Sequence, residues 1–211
     1  MASRLARLAQ GAPVRETAPG PAPALAEQCD MCAAPVPPGH RHIVDLNDRR
    51  MMCACRACAV LFDSEQAGGG HLRLLPTRRR PLDDFVMDQL QWDRLRIPVD
   101  MAFFFYSTPA ERVMVLYPSP AGPTESLLEL EAWSELAAAN PVLETMEPDT
   151  EALLVSRARD MNEHWIVPID DCYELVGLIR GRWRGFTGGE EVWQSIDAFF
   201  EDLPTRERTR W

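Results

Sequence analysis

Apolar positions in the last third of the chain recur at helical spacing. Val192, Ile196, Phe199 and Leu203 follow at intervals of four, three and four, behind a Thr187-Gly188-Gly189-Glu190 capping-box pattern. A helix before it starts at Asp170 or Asp171, with Glu174 three residues after Asp171 in the same capping pattern. It places Leu175, Ile179 and Trp183 on one buried stripe and ends at Gly185, with Arg180, Arg182 and Arg184 favourable to its C-terminal dipole. Upstream, aromatic and β-branched residues predict strands over 101–106 and 112–117, joined through Thr108-Pro109, and a second hairpin over 152–157 and 164–168. Short helices are expected over 88–95, stopped by Pro98, and over 130–139, stopped at Asn140-Pro141. Three prolines and Gly122 make 118–124 a rigid excursion without a regular hydrogen-bond ladder. Near the N-terminus, 40–46 and 50–53 read as two short strands turned at Asn47-Asp48.

These signals divide the chain into four parts: a flexible Pro/Ala-rich arm over 1–26, a four-cysteine module over 27–66, a linker over 67–81 and an acidic α+β domain over 82–205. The linker contains the Gly68-Gly69-Gly70 run and closes at Arg78-Arg79-Arg80-Pro81. The fold class expected is α+β, a small zinc-ribbon-like β-hairpin module followed by a mixed or antiparallel sheet with C-terminal helices. No internal repeat is visible.

Charge sharpens this division. The net charge is -10, but residues 1–80 carry 11 Arg against 7 acids and residues 81–211 carry 11 Arg against 25 acids. The acidic body repels nucleic acid and anionic membrane surfaces. All 22 basic residues are Arg, so Walker-type phosphate loops and Schiff-base chemistry, which need a Lys amine, are excluded. No apolar run is long enough for a membrane span and the first ten residues lack a signal-peptide core. With the paired cysteines, these features lead to the expectation of a reducing, cytoplasmic location.

The cysteines carry the main chemical signal. Cys29-Asp-Met-Cys32 and Cys55-Arg-Ala-Cys58 are two Cys-x-x-Cys pairs separated by 22 residues. Each pair can aim two sulfurs at one ion, and a hairpin between them closes a tetrahedral four-thiolate site. Buried free thiols or two redox pairs are the other readings, and a redox pair needs no second pair beside it. The expected ion is Zn2+, with Fe in a rubredoxin-like site as the alternative. A glycine commonly follows the second Cys of each knuckle in both kinds of site, and here Ala33 and Ala59 stand there. Phe62 is the single aromatic available to shield an iron, which favours zinc. Cys53, two residues before Cys55, could exchange for a ligand. His40 and His42 share a strand face; the plainer expectation puts all three outside the ligand shell, and Cys172 in simple packing at a helix start.

Elsewhere, His164 with Glu163, Asp170 and Asp171 could form a His–carboxylate pair, but with no nucleophile or second ligand nearby in sequence a surface turn and a helix cap are the favoured reading. The Arg78–Arg80 run reads as solvated linker, or as a partner for an acidic face of the chain's own C-terminal domain. No nucleophile elbow, zincin motif or dinucleotide fingerprint occurs.

The segments Phe103–Ser126, Val167–Arg180 and Trp183–Trp193 resemble an uncharacterised actinobacterial family of unknown function, over about residues 28–203. Genes of the family the chain resembles often lie among those for uptake nickel–iron hydrogenases and their maturation factors. The resemblance implies a context in hydrogen oxidation and carries over the paired Cys29, Cys32, Cys55 and Cys58, but implies no activity and no catalytic residue. The function expected is therefore a non-enzymatic metal-binding accessory protein whose partner is a hydrogenase subunit or maturation factor. The rivals are a rubredoxin-like electron carrier serving a hydrogenase, an enzyme with a site near 118–126 and His164, and a DNA-binding regulator. The charge of the large domain opposes the last.

Overall fold

A computed structural model describes residues 27–64, 66–126, 130–159, 161–185 and 188–206. The arm expected over 1–26 lies outside the described residues, as does Thr187.

The chain forms two antiparallel sheets. Strands β1 (Arg41–Asp45) and β2 (Arg50–Ala54) make a hairpin, followed by helix α1 (Arg56–Leu61), and β3 (Leu72–Leu74) adds to the free side of β1 in the order β2-β1-β3. The larger sheet contains β4 (Arg80–Pro81), β5 (Met101–Ser107), β6 (Arg112–Ser119), β7 (Gly122–Ser126), β8 (Glu151–Ser156) and β9 (Glu163–Pro168), in the order β4-β9-β8-β5-β6-β7. Helices α2 (Gln89–Arg94), α3 (Leu130–Ala139), α4 (Ile169–Arg182) and α5 (Glu190–Asp202), with short 3-10 turns at Ala67–Gly70 and Pro141–Thr145, complete the described elements. The fold is α+β, as the sequence pattern predicts.

Strand periodicity explains the layering. In β5, Phe103 and Phe105 join Leu154, Val167 and the apolar stripes of α4 and α5 on one face of the sheet. Ala102 and Phe104 join Leu153, Val155, Trp92 of α2 and Leu136 of α3 on the other. Both faces are covered, so β5 and β8 read as continuous apolar runs. Helix α5 buries Val192, Ile196 and Phe199, with Leu203 buried just past its end, on the stripe the spacing predicts.

The structure corrects four details. The 118–124 segment is not an irregular excursion. It is a tight hairpin in which Pro118 faces Pro123 and Ser119 faces Gly122. Proline is tolerated there because β7 is an edge strand and β5 pairs β6 only as far as Leu116, so those positions owe no ladder bond to a second neighbour. The expected linker 67–81 contributes a strand to each sheet, β3 and β4. Helix α4 begins at Ile169 behind Pro168 with no side-chain cap, because the Asp170 and Asp171 carboxylates are engaged elsewhere. It stops at Arg182, and Trp183 is its half-buried C-cap, outside the helical stripe. Helix α5 starts behind Gly189, whose φ of +78° and missing side chain replace the expected side-chain cap.

The small sheet has two apolar faces. Ile43, Met52 and Ala54 pack with Cys29, Val36, Cys58 and Ala59 in a small core. Val44 and Leu75 point the other way into the main core, with Leu46 and Met51 packed against it. The cysteine-bearing sheet is thereby docked on the α4 side of the large sheet.

Candidate metal centre

The first cysteine pair is held by a turn. The Ala33 amide donates to the Cys29 carbonyl at 2.8 Å, and the Cys29 amide donates to the Ala34 carbonyl at 2.8 Å. Ala33 adopts φ +60°, the left-handed conformation that glycine usually supplies, so the turn forms with an alanine in place. The Asp30 amide donates to the Cys53 carbonyl, and the Cys53 amide returns a bond to the Asp30 carboxylate at 2.6 Å, fastening the turn to β2.

The second pair is built differently. Cys55 is the N-cap of α1 and Cys58 lies in its first turn, with the Ala59 amide donating to the Cys55 carbonyl at 2.8 Å. Ala59 is therefore helical and no left-handed residue is needed, which explains why no glycine follows Cys58. The two Cys-x-x-Cys pairs look alike in sequence but are one turn and one helix start.

Together they bring the sulfurs of Cys29, Cys32, Cys55 and Cys58 within 4.8 Å of one another, a cluster that could hold a metal ion. The Cys32 and Cys55 sulfurs are 3.6 Å apart, near the roughly 3.8 Å edge of a tetrahedron with Zn–S bonds of 2.3 Å. All six cysteines are free thiols. Cys29 and Cys58 are buried and Cys32 is exposed. Burial opposes ionisation of Cys29, but amides of Cys55, Met31 and Cys32 directed at its sulfur outweigh it and draw the thiol down to about 7. Cys58 moves the other way, raised by burial and by hydrogen bonds with the other three thiols. At Cys32 the Ala34 amide favours the thiolate, but the crowding of Cys55 and Cys29 prevails and the thiol is raised. One thiolate stabilised beside thiols that resist ionisation is the arrangement a cation resolves, by supplying the missing positive charge.

Cys53 does not belong to this cluster. It stands with His40 and His42, whose ligand atoms and its own lie within 4.8 Å of one another. The alternation of β2 is the reason: Met52 and Ala54 face the four thiols, and Cys53 faces the opposite side.

The remaining candidates separate. His164 is buried and stacked on Phe85 at 4.7 Å, with its pKa lowered by burial and by the Arg157 charge. Glu163 accepts from the Trp165 indole instead. Asp170 accepts from His42 Nδ1 at 2.6 Å, and Asp171 takes two bonds from Arg79 at 2.7 and 2.9 Å. Arg78 pairs with Glu151 and Glu147, and Arg80 donates to the Thr145 hydroxyl, so the arginine run binds the chain's own acidic domain. The 118–126 hairpin ends at the β7 edge, four strand spacings or roughly 19 Å from His164 on β9. Cys172 is fully buried among core residues, its thiol raised well above the usual range by burial and the neighbouring aspartates. These long-range pairings had no sequence signal beyond the residues' charge, because their partners lie 65 to 128 positions away.

A knuckle, a hairpin and a helix start converge four thiols beside an antiparallel α+β body, a cluster that could hold a metal ion. The chain belongs to the family of unknown function DUF5947, whose model matches residues 28–207. No curated protein and no solved structure matches it.

Proposed function

We propose that this chain is a non-enzymatic accessory protein that holds one zinc ion on Cys29, Cys32, Cys55 and Cys58 and binds a protein partner. The observation that carries this reading is the convergence of four thiols from two separate elements on one point. Four soft thiolates in a closed tetrahedral set suit a structural Zn2+. A rubredoxin-like iron site is supported less, because the second pair opens a helix and does not form a second turn. Phe62 is half-buried and is the one aromatic packed in this small core among the described residues.

Partner binding is supported by apolar side chains left in solvent beside the ligands: Met31 between Cys29 and Cys32, and Val60 and Leu61 just after Cys58. The separation of the 118–126 hairpin from His164 argues against the enzyme reading. The resemblance to proteins encoded among uptake nickel–iron hydrogenase genes supports a hydrogenase subunit or maturation factor as the partner, and a cytoplasmic location. No described helix is long and apolar enough to cross a membrane.

Metal analysis and a visible spectrum of the purified chain test the ion. Stoichiometric zinc without colour is expected, and a red, reducible iron protein would overturn the zinc assignment. Affinity capture from the native host, followed by mass spectrometry, tests the context. Recovery of a hydrogenase subunit or maturation factor is expected; its absence from repeated captures would refute the hydrogenase partner.

A further inference from the structure

We infer that the small sheet carries a second metal site, formed by His40, His42 and Cys53 on the face opposite the four thiols. His42 and Cys53 are directly opposed in the β1–β2 register, and His40 lies two positions before His42 on the same side. The ligand atoms of the three residues lie within 4.8 Å of one another. Small side-chain rotations close that separation to the roughly 3.3–3.8 Å expected between ligands with metal bonds of 2.0–2.3 Å.

Both imidazoles are prepared for such a role. His40 Nδ1 is 3.0 Å from the Pro37 carbonyl, which can only accept, so Nδ1 carries a proton and, in the neutral ring, Nε2 carries the lone pair. The His40 side chain is 5% exposed and its Nε2 is buried with no hydrogen-bond partner. An imidazole nitrogen withdrawn from water and left unmatched is costly unless something fills the place of its partner. His42 Nδ1 donates to the Asp170 carboxylate at 2.6 Å, the carboxylate–histidine arrangement that fixes a metal-binding tautomer and orients the ring. The two rings meet edge to face at 4.7 Å, and Cys53 adds a soft sulfur opposite His42.

The His42–Asp170 hydrogen bond accounts for the orientation of His42, but it explains neither the buried His40 nitrogen nor the thiol beside it. Two imidazoles and a thiolate select a late first-row ion of the Zn2+ class over hard cations. Three protein ligands leave a fourth position for water or an external ligand, unlike the closed four-thiol cluster. Through Asp170, the site would join the small sheet to the first turn of α4.

The two sites share no ligand, so they can be tested apart. The full-length chain is freed of loosely held metal under reducing conditions, titrated with zinc alone and read by native mass spectrometry. Wild type is expected to take up one zinc beyond the ion of the four-cysteine cluster. Cys53→Ser and His40→Ala are each expected to lose that additional ion and keep the other, whereas Cys29→Ser loses the cluster ion and keeps the additional one. Circular dichroism identifies any variant that fails to fold, and Cys53→Ser, a near-isosteric change, decides if His40→Ala does. Zinc uptake by Cys53→Ser equal to that of wild type, or no ion beyond the cluster in wild type, overturns the second site. Zinc at the second site with none on the four cysteines would sink the proposed function and leave this inference standing.

Discussion

Arg79 and Asp171 form the most deeply buried ion pair described, with side chains 4% and 0% exposed and two bonds between guanidinium and carboxylate. Such a pair need not exceed an apolar substitute in stability, but removing one member leaves a charge in the interior. Asp171→Ala is therefore expected to cost about 3–5 kcal/mol in urea unfolding; a loss under about 1 kcal/mol would mean that water or Glu174 reaches Arg79. His164 gives a pH effect of definite sign. Burial and Arg157 lower its pKa in the folded chain, so the unfolded chain binds the proton first as pH falls. The stability of neutral His164 is complete above the unfolded value of about 6.5 and is lost as pH falls from there toward the folded pKa. His164→Phe keeps an aromatic ring against Phe85 and should flatten the pH dependence of Tm in that window. An unchanged slope would assign the dependence to other groups.

Two glycines, one inside α4 and one in the turn before α5, should respond oppositely to the same change. Gly177 lies inside α4, is exposed, and an added Cβ meets nothing within 4 Å, so Gly177→Ala should stabilise the chain by about 0.5–1 kcal/mol through the entropy of the unfolded state. Gly188 has φ +85° and a Cβ there would come within 2.8 Å of Val192 Cγ1, so Gly188→Ala should destabilise it. Thermal melts of both variants, moving in opposite directions, check the pair; a rise for both would mean that the 188–189 turn rearranges freely. The elements themselves were legible where one periodicity dominated. The Val192–Leu203 stripe, the helix stopped at Asn140 and the apolar strands β5 and β8 follow from local spacing alone. Legibility failed where tertiary demand overrides a local habit. Proline signals a loop, yet Pro118 and Pro123 sit in an edge hairpin; an Asp before a helix signals a cap, yet Asp170 and Asp171 turn to His42 and Arg79. The four-cysteine cluster was readable from spacing, but its construction was not, because a Cys-x-x-Cys pair fits a turn and a helix start equally well. The separation of Cys53 from that cluster follows from the β1–β2 register, which spacing does not supply.

With an ion on the four thiols, as proposed, the arrangement of cores sets how its removal should propagate. The small core around Cys29, Ile43, Met52 and Cys58 is closed by the thiol cluster, whereas the core beneath α2 and α3 shares no residue with it. The core between the large sheet and α4–α5 is intermediate, because Val44 and Leu75 of the cysteine-bearing side are built into it. A small core that depends on a metal contributes little folding free energy once the ion is gone, since the thiols that met at it then repel or must be reprotonated in partial burial. Chelation should therefore open β1, β2 and α1 first. The opening should reach α4 through Val44 and the His42–Asp170 bond, and leave the Phe104–Leu153–Val155 side of the large sheet protected. Hydrogen exchange with and without chelator measures this directly, with large gains expected at residues 41–61, smaller gains at the start of α4 and none in β8. Uniform loosening of both sheets would mean that the two cores unfold as one unit, and no change at 41–61 would mean that the thiol cluster does not hold the small sheet together.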